Sequence, residues 1–98
     1  MAFHHVVMFR WNEGVDADHV DRLVAWLGRL PGEIPEVKGY RYGPDAGVNT
    51  GNYDFAVTAD FDDVDGYLVY RDHPFHQELI QAMIVGHIAE RAAAQFET

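Results

Sequence analysis

Residues Phe3 to Trp11 alternate in a pattern that one packed layer cannot satisfy. In an extended strand Phe3, His5, Val7, Phe9 and Trp11 point to one side, and His4, Val6, Met8 and Arg10 to the other. The first face is rich in aromatics and belongs against the main core. The second still carries Val6 and Met8, so it too calls for cover. A sheet built on this strand needs a layer on each side.

The rest of the chain supplies one of those layers. Asn12-Glu13-Gly14 reads as a turn, and Asp16 as the cap of a helix from Ala17 to about Leu30. Its buried stripe is Val20, Leu23, Val24, Leu27 and Leu30. Asp18 and Asp21 lie in its early turns and Arg29 in its last, as the helix dipole favours, and Pro31-Gly32 ends it. Val37 to Tyr42 is a second strand with Tyr40 and Tyr42 on one side, and a Gly- and Asn-rich loop leads to a third, Tyr53 to Phe61. Asp62 or Asp63 caps a short helix through Tyr70, and Pro74 opens another that carries Phe75, Leu79, Ile80 and Met83 and stops at Gly86 or His87. Ile88 to Phe96 reads as a last strand, although Ala92-Ala93-Ala94 is weak strand material.

The order β-α-β-β-α-α-β predicts one α+β domain over residues 1–98. It is a ferredoxin-like sandwich, a four-stranded antiparallel sheet with helices on one face. The helices leave the side of Val6, Met8 and Ala56 bare. A second copy of the chain, sheet against sheet, is the economical cover, which makes the expected assembly a homodimeric α+β barrel. A small domain without disulfides gains stability in the same way.

Composition narrows the partners. With 16 acidic and 7 basic residues the net charge is −9, and Lys38 is the only lysine, so neither nucleic acid nor an anionic membrane surface is an expected partner. The absence of cysteine removes thiol nucleophiles and thiolate metal sites. No stretch reaches the roughly 20 apolar residues of a membrane span. The short N-terminal apolar run carries His4 and His5, unlike a secretory leader. A cytoplasmic location is the expectation.

Four of the six histidines fall in two distant patches, His4-His5 and His73-Pro74-Phe75-His76, with Tyr70 three residues before the second. A fold that brought the patches together would create an acid–base pocket. Together with the His5-Val6-Val7-Met8-Phe9-Arg10 opening, and with Leu30, Ile34-Pro35 and Val37 around the end of the first helix, the Tyr70-Arg71-Asp72-His73-Pro74-Phe75-His76 segment resembles the stress-responsive A/B barrel (Dabb) family, from about Phe3 to Phe96. The resemblance implies a homodimer in which two ferredoxin-like units share a barrel. One branch of the family, of olivetolic acid cyclase type, closes a linear polyketide thioester by an aldol condensation. Its catalytic histidines fall on His5 and His76, and its tyrosine on Tyr70. A further histidine and a further tyrosine of its pocket fall on Phe55 and Leu27, which implies a more apolar pocket here.

On this reading His76, in the first turn of a helix, is held neutral by the helix dipole and acts as base, while Tyr70 stabilises the enolate. Val7, Phe9, Trp26, Leu27, Phe55 and Leu79 supply the apolar walls for a small hydrophobic ligand. His73, before a proline, caps the following helix or ties the short helix to it. His4 faces the opposite side of the sheet and pairs with Asp54 or Asp60. No metal site is expected, because His73 and His76 alone fall short of the three or four ligands zinc requires. Nor does any phosphate loop or dinucleotide fingerprint point to a cofactor. The alternative is a non-catalytic, stress-responsive module that binds a small ligand or serves structure.

Overall fold

Alternation along the first nine-residue segment produces the strand that organises the sheet. The computed structural model describes residues 1–98. Strand β1 (Phe3–Trp11) pairs antiparallel with β3 (Phe55–Phe61) on one side and with β4 (Ile88–Glu97) on the other. Strand β2 (Gly39–Pro44) adds to β3, so the sheet order is β2-β3-β1-β4, all antiparallel. Phe3, His5, Val7 and Phe9 are buried on the inner face, and His4, Val6, Met8 and Arg10 are half-buried on the outer one. The four-stranded ferredoxin-like sandwich is therefore the fold of this chain.

Helix α1 (Ala17–Glu33) is capped by Asp16, whose carboxylate accepts from the His19 N–H at 2.9 Å. It runs past the expected stop at Pro31. Proline there forfeits only its own bond to the carbonyl one turn back. The last turn survives because the Ile34 N–H bonds the Leu30 carbonyl at 2.9 Å and both side chains are fully buried. Arg29 consequently lies within the helix and not in its last turn. Strand β2 starts at Gly39 and not at Val37, because the Val37 N–H turns back onto the Ile34 carbonyl. Strand β3 starts at Phe55 and not at Tyr53, whose ring instead stacks under Arg10.

Asp63 caps helix α2 (Val64–Asp72), and helix α3 (Pro74–Met83) follows after one residue. Helix α3 stops three residues earlier than Gly86, in a turn closed by Ile84, Val85 and His87 N–H bonds, with Gly86 at φ 80°. Helix α1 contacts β2, α2 contacts β1 and β3, and α3 packs against α1 and α2. The alanine run of β4 is extended because Ala92, Ala93 and Ala94 each pair with β1, a case of context overriding propensity. His19, unremarked in the sequence, is buried; its Nε2–H donates to the Met83 carbonyl at 2.9 Å and ties α1 to the end of α3.

Candidate active site

Beneath α1 and α3 the inner sheet face does not fill completely, and a cavity of about 290 Å³ remains. Its floor is His5, Val7 and Phe9 of β1, with Tyr40 and Val57 beside them. Leu23 and Leu27 of α1, and Leu79 and Ile80 of α3, form the apolar roof. Tyr67, Tyr70 and Arg71 of α2 and His76 of α3 close the polar end. One histidine from each patch, His5 and His76, some seventy residues apart in sequence, thus faces the same cavity, while His4 and His73 do not.

Tyr70 is the centre of that end. It is 3% exposed, and its ring lies 4.1 Å from that of His76, 6.5 Å from His5 and 6.1 Å from Tyr40. The Tyr40 and Tyr70 hydroxyls are 3.1 Å apart. Burial pushes the Tyr70 phenol up to about 12 and raises Tyr40 further, so both remain protonated donors at neutral pH.

The histidine tautomers follow from their partners. His76 Nδ1 lies 3.1 Å from the Arg71 carbonyl, which can only accept, so Nδ1 carries the proton and Nε2 keeps its lone pair. The Gln95 side-chain N–H donates to His5 Nδ1 at 3.0 Å, which puts the His5 proton on Nε2. Burial, then Arg91, then His76 hold His5 down at about 4. His76 is also lowered, chiefly by burial, while its bond to the Arg71 carbonyl opposes the shift. Burial, more than the helix terminus invoked from the sequence, is what keeps this imidazole neutral.

His73 does join the two helices. It ends α2, and its Nδ1 accepts from the Phe75 N–H at 3.1 Å to begin α3. His4 points to the outer face and donates from Nδ1 to Asp60 at 2.7 Å, while Asp54 binds the Trp11 N–H.

Two expected wall residues do not line the cavity. Phe55 is inward-facing but sits at the far end of the sheet opposite Phe9, with the Trp11 ring 5.8 Å away, and is sealed in the core. Trp26 lies off the Leu23–Leu27–Leu30 stripe, and its ring packs on Phe75 at 6.3 Å, outside the cavity. Val7, Phe9, Leu27 and Leu79 do line it. Tyr67, Gln77 and Arg91 are lining residues that the sequence did not single out. For Arg91 and Gln95 a signal existed: two-residue alternation along β4 places both on the face of His5 once the register is known.

A family model for the stress responsive A/B barrel domain, Dabb, matches residues 3–98. The chain belongs to the Dabb family. Among curated proteins, the uncharacterized protein SCO4036 of Streptomyces coelicolor is 32% identical over 75 residues, 74% of this chain and 77% of that one. Among solved structures, a dimeric ferredoxin-like protein of unknown function from Thermobifida fusca is 45% identical, with a TM-score of 0.92 over 100% of this chain and 92% of that chain. A hydroxynitrile lyase from Passiflora edulis has a TM-score of 0.83 over 97% of this chain and 91% of its own, at 19% identity, and so shares the fold. In this Dabb chain no helix is long and apolar enough to cross a membrane.

Proposed function

We propose that this Dabb protein is a cofactor-independent acid–base enzyme acting on a small hydrophobic carbonyl compound of polyketide-like, β-ketoacyl type. The observation that carries the reading is the His76–Tyr70 contact. An imidazole whose Nδ1 is held by a backbone carbonyl lies tilted against a buried phenol at the polar end of an apolar cavity. His76 Nε2 takes the proton from the carbon beside the substrate carbonyl. The developing enolate oxygen accepts from the Tyr70 O–H; with Tyr40 as the donor of the 3.1 Å hydroxyl pair, the Tyr70 hydrogen is free for substrate. His5 Nε2–H is a second donor at the same end, and its low pKa keeps it uncharged. The enolate then adds to a second carbonyl, as in a cyclisation, and the resulting alkoxide takes the proton back from His76, or the enolate carbon is itself reprotonated there. These residues account for the proton transfer and the oxyanion by themselves.

The same fold carries a hydroxynitrile lyase in Passiflora edulis. Its likeness to this chain is one of fold alone. The Thermobifida fusca relative is dimeric, and it supports a homodimer here that covers Val6, Met8 and Ala56. The test is turnover of β-ketoacyl thioesters by wild type and His76→Ala. Loss of a general base is expected to lower the rate about 10²- to 10⁴-fold. Equal rates in the two proteins would contradict the role of His76 and favour a ligand-binding module.

A further inference from the structure

The cavity lining inverts the charge of the chain. Acidic residues outnumber basic ones 16 to 7 overall, yet the lining holds two arginines, Arg71 and Arg91, and no aspartate or glutamate. The two arginines are not equivalent. The Arg71 guanidinium is engaged by its neighbour, with Nε and Nη2 at 2.9 and 3.1 Å from the Asp72 carboxylate. Arg91 makes no ion pair; the three in the molecule use His4, Arg10 and Arg71.

Its place in the fold explains why that charge is available. Arg91 pairs with Phe9, Ala93 with Val7 and Gln95 with His5, so all three lie on the inner face of β4. All three residues are exposed. The strand is therefore a ledge along the open side of the cavity, with a small residue, Ala93, between a cation and an amide. The Arg91 charge reaches the site, because it is among the groups that disfavour a proton on His5.

From this placement we infer that Arg91 is the anchor for an anionic carboxylate on the cavity's ligand, so that the ligand class is an apolar monocarboxylate. The apolar body lies against Val7, Leu27 and Leu79, and the carboxylate takes the paired N–H donors of the guanidinium, a geometry that a lysine could not offer. An apolar cavity with one charge at its mouth selects for the charge by position and for the body by shape. The inference rests on the reading of this cavity as a ligand site, and not on the base role of His76.

The test is calorimetric binding of octanoate and of octanamide, its uncharged counterpart, to the full chain. Octanoate is expected to bind wild type at least about tenfold more tightly, as for one charge-assisted pair. Arg91→Gln should abolish that preference, and Arg71→Gln should keep it. Arg91 lies on an exposed edge strand, so circular dichroism should show a folded variant. Failure of octanoate to bind, equal affinity for the two probes, or a preference that survives Arg91→Gln would overturn the assignment. Loss of the His76-dependent reaction with the octanoate preference intact would remove the catalytic reading alone.

Discussion

Two neighbours compete for the hydroxyl of Tyr70: the Tyr40 hydroxyl at 3.1 Å and whatever occupies the cavity. If Tyr40 is the donor of that pair, removing it frees Tyr70 to turn and costs the oxyanion a polarised partner. Tyr40→Phe is accordingly expected to lower kcat on a β-ketoacyl thioester by about tenfold, less than Tyr70→Phe, for which 10²- to 10³-fold is the scale of a lost oxyanion donor. Steady-state kinetics check this, and an unchanged kcat in Tyr40→Phe would place that hydroxyl in structure alone. His5 makes a separate prediction. Its pKa falls from 6.5 when exposed to about 4 when folded, so the unfolded chain binds the extra proton between those values. The contribution of His5 to stability is complete above pH 6.5 and is lost as the pH falls toward 4, by at most ~3 kcal/mol. Urea unfolding at a series of pH values should show a shallower slope in His5→Asn over that window, and an identical slope would contradict the assignment.

At the level of elements, the local signals were legible and the rotational ones were not. Asp16, Asp63 and His73 each declare a cap by residue type and position, and each makes the expected backbone bond. Pro74 begins α3 where its missing N–H costs nothing. Pro31 misled because one lost hydrogen bond is smaller than the burial of Leu30 and Ile34 on either side of it. Trp26 and Phe55 look like cavity walls in sequence, but a helix angle turns one toward Phe75 and strand register sends the other to the Trp11 end. No local pattern joins Tyr40 to Tyr70, or Gln95 to His5; those pairings need β2 and β4 in place. The cap at His73 is testable on its own. His73→Ala should cost about 0.5–2 kcal/mol in urea unfolding, most of it recovered in His73→Asn, which retains a capping acceptor. Equal losses in both variants would show that the imidazole acts by packing and not by capping.

For the whole molecule, the alternation with which β1 began has consequences on both sides of the sheet. Inside, it sets His5 against Tyr70 and the cavity. Outside, Val6, Met8 and Ala56 remain half-exposed, and Phe96, stacked on His4 at 4.8 Å, is 52% exposed. That apolar area is the surface the proposed homodimer would cover. Sedimentation at micromolar concentration is expected to give a dimer, and Met8→Glu to shift it toward monomer, because an unpaired charge is costly in a sheet-on-sheet interface. A wild-type monomer would contradict the assembly.

The central claim is that His76 removes a carbon-bound proton next to a carbonyl. Proton NMR of a β-ketoacyl thioester in deuterated water reads that event directly, without requiring the later carbon–carbon step. Wild type should accelerate exchange at the carbon between the carbonyls, with activity falling on the acid side at an apparent pKa below 6.5, in line with the lowered pKa of His76. His76→Ala should bring exchange close to the buffer rate. Exchange as fast in His76→Ala as in wild type would contradict the account.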